Sequence, residues 1–223
     1  MKKIINCAFL LFLAGTLSAQ IGDVISVSST SFSVQNNKDL SQAAKAMGSP
    51  YITQEFLPAV ITGHDKSINL RYNAYTDEME FKMNQVDYNL SKEEYPEVFI
   101  GPEKTRYIYT SYTDGKTKVS GFLRTIAEHD KVAFYIKESI TYTPAVASSN
   151  GYGSDKPAIY KRAKDRLFVK VNGNIIEMPT NKKKFAALFS ENEKQISSYI
   201  SSEKIALTKE TDLLKLGRFI QNL

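Results

Sequence analysis

Apolar and polar positions alternate from Lys118 to Thr143, and a fold-back at His129-Asp130 brings the two arms into agreement. On that pairing one face receives Ala127 with Val132, Thr125 with Phe134, Leu123 with Ile136, and Val119 with Ile140. The other face receives Glu128 with Lys131, Arg124 with Tyr135, Phe122 with Lys137, and Ser120 with Ser139. A one-residue slip moves each arm's side chains to the opposite face, so the agreement predicts a hairpin in this register. Upstream, Lys104 to Thr113 ends at Asp114-Gly115, a hairpin signal that sets Thr110 opposite Val119 and Ile108 opposite Gly121 and extends the pair into a meander. A further hairpin turns at Asn172-Gly173, with Val169 opposite Ile176, Leu167 opposite Met178, and Phe168 opposite Glu177 on the other face.

The rest of the chain reads in two modes. Ile21 to Val34 is a β-rich edge or extended arm, and Phe56 to Ile61, Ser67 to Tyr75, Met79 to Met83, Val86 to Leu90, Glu97 to Ile100 and Ile159 to Ala163 are strand candidates. Asn36 to Met47 carries Leu40, Ala43, Ala44 and Met47 at helical spacing, with Gly48 beyond the end and Pro50 after it, which predicts a short helix. From Asn181 the period lengthens to that of a helix: Phe185, Leu188, Phe189, Ile196, Tyr199 and Ile200 fall on one stripe. Ser190 and Glu193 have capping-box spacing, and Thr208 or Thr211 is placed to cap a final helix bearing Leu213, Leu216, Phe219, Ile220 and Leu223. The expected fold is α+β: a curved antiparallel sheet, meander or incomplete barrel, with a short N-terminal helix and two or three C-terminal helices.

The first nineteen residues change the setting. Met1-Lys2-Lys3, the apolar run Ile4 to Thr16 and the small residues before Gln20 read as a cleaved secretory signal peptide, leaving residues 20–223 as a single domain. The expected location is therefore outside the cytoplasm, periplasmic or secreted. Cys7 is the chain's one cysteine and lies in that leader, which leaves the mature chain without disulfide or thiolate chemistry. Lys2 and Lys3 leave with it, taking the formal charge from +5 to +3, too mild and too dispersed to argue for nucleic acid. No later run has the length of a membrane-spanning helix.

Candidate chemistry is mostly excluded. His64 and His129 each precede an aspartate, but both fall at expected turns, where aspartate bonds to nearby backbone, and neither has the clustered ligands of a metal site. The Gly-x-Ser-x-Gly and His-Glu-x-x-His signatures are absent, and Ser148 to Pro157 is glycine-rich without the context of a phosphate loop. Asp77, Glu78 and Glu80 are the densest acidic group, and of these Glu78 and Glu80 share a strand side, the basis for a carboxylate hydrolase; the simpler expectation is a solvated strand face. Lys182-Lys183-Lys184 suits a solvated helix entrance. No cofactor is implied.

Aromatic usage is skewed, with 13 Tyr, 12 Phe and no Trp. Tyr107, Tyr109, Phe122 and Tyr135, beside Arg124 and Lys137, are expected on one face of the meander. If the C-terminal helices cover that face, these are core aromatics; if it stays concave and open, they form a pocket or platform for a lipid, a glycan or an envelope protein.

The leader, the segment Leu70 to Phe81 and the ending Phe185 to Leu223 resemble those of exported bacterial proteins of uncharacterised families. In architecture, a curved antiparallel sheet carrying helices is similar to the periplasmic lipoprotein carriers, whose concave sheet holds acyl chains. The resemblance brings no catalytic residues, and the first expectation, carried by the aromatic face, is an exported, non-enzymatic envelope protein that binds a hydrophobic ligand or a protein partner there. The alternative is a structural or interaction protein that meets other components through its sheet edges.

Overall fold

Tight turns set the strand boundaries. The computed structural model describes residues 23–27, 30–36, 46–64, 67–147 and 155–223. The expected leader, residues 37–45 of the expected N-terminal helix and most of the glycine-rich loop lie outside them. At the two described ends of that helix, Asn36 closes a strand and Met47 forms a bridge with Ile159.

Fourteen strands are described: β1 (Asp23–Val27), β2 (Thr30–Asn36), β3 (Leu57–Ile61), β4 (Ile68–Asn73), β5 (Glu78–Met83), β6 (Val86–Leu90), β7 (Glu97–Ile100), β8 (Thr105–Asp114), β9 (Thr117–Glu128), β10 (Ala133–Lys137), β11 (Ile140–Thr143), β12 (Ile159–Arg162), β13 (Arg166–Val171) and β14 (Asn174–Glu177). Three helices follow, α1 (Lys182–Ala186), α2 (Glu193–Ser202) and α3 (Glu210–Gln221). Among the described helices, none is long and apolar enough to cross a membrane.

Twelve strands make one sheet in the order β1-β2-β6-β5-β4-β3-β7-β8-β14-β13-β10-β9, and β9 pairs back onto β8. The meander therefore closes into a five-strand barrel of β8, β9, β10, β13 and β14, while β1 to β7 continue as an open antiparallel sheet. β8 belongs to both. One of its edges follows β9 from Tyr107 to Asp114. Its other edge is given to β7 over Thr105 to Ile108 and then to β14 at Thr113, where one parallel register closes the barrel. β11 and β12 form a separate ribbon.

The β13–β14 hairpin has the expected register, Phe168 opposite Glu177 and Val169 opposite Ile176, and its turn residues Asn172 and Gly173 both take positive φ. The β8–β9 hairpin is displaced by two residues. Gly115, at φ +60°, takes the first position of the turn, so Asp114 pairs with Thr117 and Tyr112 with Val119. The β9–β10 register departs further. Ala127 faces Phe134 near the turn, and a bulge between Phe134 and Tyr135 then sets Thr125 opposite Tyr135 and Arg124 opposite Ile136. Ala133, Phe134, Tyr135 and Ile136 are all buried, so this strand has no polar face to resist a one-residue shift.

The core lies in three clusters, and β9 reaches each of them. Phe122 joins the cluster of the open sheet with Leu70, Tyr72, Met79, Phe81 and Tyr107. Leu123 points into the barrel with Tyr112, Tyr135 and Phe168. Ala127 lies under the helices with Phe134, Val169, Phe185, Ile196 and Leu216. Each large apolar side chain withdrawn from water in this way contributes roughly 1.5–3 kcal/mol. The helix starts differ from expectation. Asn181 caps α1 by accepting from the Lys184 amide, whereas Asn192 and Lys209 precede α2 and α3 without a side-chain cap bond.

Candidate functional site

β3 pairs with both β4 and β7, but only through Leu57 to Ile61. Before Leu57 the chain keeps to the β4 side: the Ile52 amide donates to the Tyr72 carbonyl, and the Ala74 amide to the Pro50 carbonyl. The sheet therefore splits between this strap, residues 46–56, and the β7–β8 pair. A cleft of about 230 Å³ occupies the split. Leu57, Leu70 and Ile100 line it with aliphatic surface, Tyr72 and Tyr107 with rings, and Glu55, Arg71, Arg124 and Glu138 with charge.

The ladder pairs Tyr107 with Arg124 and Tyr109 with Phe122. Tyr107 is 6% exposed and Phe122 1%. Tyr72 lies against both rings, with centroids at 5.1 and 6.2 Å, and Tyr109 meets Phe122 at 5.4 Å. The open sheet, not the helices, covers this aromatic face. The helices lie on the face that carries Ala127, Phe134, Val169 and Met178. Tyr135 is separated from the set by the β9–β10 bulge, which leaves Ile126 of β9 unpaired, and sits inside the barrel with Phe168. Its hydroxyl donates to Glu128 Oε1 at 3.2 Å.

Two charged groups organise the cleft's far end. Glu138 Oε2 accepts from the Tyr107 hydroxyl at 2.7 Å, and Oε1 accepts from Arg162 Nη2 at 2.9 Å and lies 3.5 Å from Arg124 Nε. Burial, with the adjacent Glu138 charge, holds the Tyr107 hydroxyl well above its ordinary pKa. Arg124 extends beyond the cleft to α3, where Nη1 and Nη2 donate to the two oxygens of Glu210 at 3.0 and 2.7 Å. That bidentate bond, ahead of opposing desolvation, raises the Arg124 pKa; the same contact lowers that of Glu210.

Lys137 serves the junction behind the cleft. Its ammonium donates to Asp77 Oδ1 at 2.6 Å, to the Tyr72 hydroxyl at 3.2 Å and to the Phe122 carbonyl at 3.1 Å. Asp77, in the β4–β5 turn at φ +61°, also accepts from the Tyr72 hydroxyl at 2.6 Å and from the Phe122 amide at 3.2 Å. A Cβ at Gly121 would collide with Asp77 Oδ2 and come within 3.2 Å of Lys137 Nζ, so glycine admits this approach. Burial lowers the Lys137 pKa against the opposing pull of Asp77.

The carboxylate pair behaves differently from expectation. Glu80 is buried rather than solvated. Its Oε2 accepts from Arg71 Nε and Nη2 at 3.0 and 2.8 Å, and its Oε1 from Asn73 at 2.8 Å. Arg71 also donates to Asp87 at 2.9 Å and to the Tyr51 hydroxyl at 2.6 Å, beneath the rings of Tyr51 and Phe56. The strap supplies both rings, and its return across β4 is what removes this face from water. Glu78 pairs with Lys92 at 2.5 Å.

His64 follows the turn after β3, with its ring edge-on to Tyr95 at 4.8 Å. His129 is half-buried against Gly217 of α3 rather than free in water, because α3 packs across the β9–β10 turn. Among the described residues, no group of three His, Cys, Asp or Glu could hold a metal ion.

Tyr72, Glu138 and Glu210 complete this region and were not among the residues singled out by pattern, whereas Asp77, expected only as part of an acidic group, binds Lys137 and Tyr72. One local signal marks Glu138: adjacent charges Lys137-Glu138 in a β run must place one on the inner side. Glu210 had no such signal, because 86 residues separate it from Arg124. No family model, curated protein or solved structure matches this chain.

Proposed function

We propose that this chain is an exported, non-enzymatic envelope protein that holds a small hydrophobic ligand of the lipid class in the cleft between its open sheet and its barrel. The observation that carries the reading is the cleft itself, with aliphatic walls from three strands and Arg124 at one end. Pockets for small molecules commonly combine apolar lining with a few placed polar groups. At roughly 30 Å³ per water the volume equals about eight waters, which suits a short acyl chain or one end of a larger lipid.

Lipid is favoured over glycan because the cleft's tyrosine hydroxyls are already committed, Tyr72 to Asp77 and Tyr107 to Glu138. The same commitment favours binding over chemistry, since Glu138 has both oxygens engaged. The expected leader supports export.

Native mass spectrometry of the protein purified gently from its own envelope tests this. An additional mass is expected that is lost on denaturation and lost when Ile100→Trp fills the cleft in a chain that still folds. A folded wild-type protein with no additional mass, and no uptake of added octanoate or octanol, counts against the reading.

A further inference from the structure

Two arginines line the cleft, and only one of them is free to change partners. Arg71 donates to Glu80 through Nε and Nη2, and the Glu80 side chain has no exposure. Arg71 Nη2 is also taken by Asp87 and by the Tyr51 hydroxyl. A ligand anion that displaced Glu80 would strand a carboxylate away from water, which is prohibitive.

Arg124 is held differently on its two sides. Its Nε lies 3.5 Å from Glu138, whose side chain is 5% exposed. Its Nη1 and Nη2 donate to the two oxygens of Glu210, whose side chain is 47% exposed. Glu138 does not depend on Arg124 alone, since it also accepts from Arg162 and from Tyr107. Glu210 has water as its alternative. It is the first residue of α3, where the unpaired amides of the helix favour a carboxylate whether or not Arg124 holds it.

The seat that Glu210 fills is a fork of two guanidinium N–H groups, a shape that takes one carboxylate in bidentate fashion. The side chain that carries this fork already lines the cleft. Glu55, the other charge of the lining, is exposed on the strap.

Resting on the reading of the cleft as a lipid site, we propose that its ligand is a short-chain fatty acid whose carboxylate replaces Glu210 on Arg124. One carboxylate is exchanged for another, so the guanidinium keeps its charge-assisted bonds as its fork turns from α3 to the cleft. The acyl chain then covers Leu57, Leu70 and Ile100. A neutral head, such as an alcohol, does not compete for the fork and leaves Arg124 on α3. Arg124 therefore selects the head of the ligand, and Glu210 is the ligand's competitor for it.

Titration calorimetry with octanoate and with octanol, on the full chain purified after export, tests this. Wild type is expected to bind octanoate about threefold tighter than octanol, the net of gaining Arg124 and losing its bond to Glu210. Glu210→Gln removes the competing charge. A solvent-screened pair of this kind corresponds to about two- to fivefold, so octanoate is expected to tighten by that factor with octanol unchanged. Arg124→Gln is expected to abolish the preference while octanol still binds, whereas a merely structural role for Arg124 would weaken both probes alike. Octanol bound as tightly as octanoate by wild type, octanoate not tightened by Glu210→Gln, or both probes weakened alike by Arg124→Gln overturns the proposal and leaves the lipid cleft standing. Binding of neither probe by folded wild type overturns both.

Discussion

Two charged networks lie on either side of the strap, and they are built to different ends. Around Glu80, Arg71, Asn73, Asp87 and Tyr51 close on one another under two aromatic rings, and the Glu80 side chain has no contact with water. Around Glu138 the inner contacts are equally complete, but Arg124 carries the network outward to Glu210, whose side chain is 47% exposed. The first is a structural joint that meets the cleft through Arg71 while Glu80 stays buried. The second borders a cleft and ends on a helix, so its outer contact can exchange at small cost. A buried pair is expensive to break because the surviving charge is stranded; a half-exposed one is not, because water and salt replace the partner.

This contrast is tested most severely at Arg71. Arg71→Met leaves Glu80 buried without its cation, and a loss of about 3–5 kcal/mol is expected, read as a lower urea midpoint at unchanged slope. A loss below about 1 kcal/mol, the range of exposed pairs, would remove the distinction between the networks.

Next in size is the junction between sheet and barrel. Gly121→Ala forces a methyl group against Asp77 and Lys137. A destabilisation of about 1–3 kcal/mol is expected from this overpacking. Gly115→Asn, at a turn position with open space around it and φ +60°, is the matched control and should cost less.

The smallest effect is assigned to Glu210→Gln. Near neutral pH it should cost about 0.2–1 kcal/mol, the range for a solvent-screened pair. Because Arg124 lowers the Glu210 pKa in the folded state, the pair's contribution is present above the ordinary carboxylate range and fades as pH falls through the folded value. Wild type and Glu210→Gln should therefore converge in stability on acidification. A difference that persists or grows in acid would mean that Glu210 acts through packing and not through charge.

The hairpins show why only part of this was legible. β13–β14 follows its pattern because Asn172-Gly173, both at positive φ, fixes a two-residue turn. In β8–β9 the same kind of signal locates the hairpin but leaves two placements of Gly115 within the turn, and a two-residue displacement preserves every face. For β9–β10 the alternation was misleading, since β10 is enclosed by the barrel interior on one side and the helices on the other. Of the six residues drawn together by pattern, Tyr107, Tyr109, Phe122 and Arg124 occupy alternate rungs on one face, Lys137 joins them through Asp77 and Tyr72, and Tyr135 turns into the barrel.

By itself the sequence determined the α+β class, the positions of most strands, the Asn172-Gly173 hairpin and the apolar stripes of the C-terminal helices. Each depends on local turn chemistry or on a period that one exposed face enforces. Tertiary structure decided the closure of the barrel through one parallel contact, the bulge between β9 and β10, the burial of Glu80 beneath the strap and the meeting of Arg124 with Glu210. These depend on which surfaces are covered by segments far away in the chain, and alternation within a strand records only whether a face is covered, not by what.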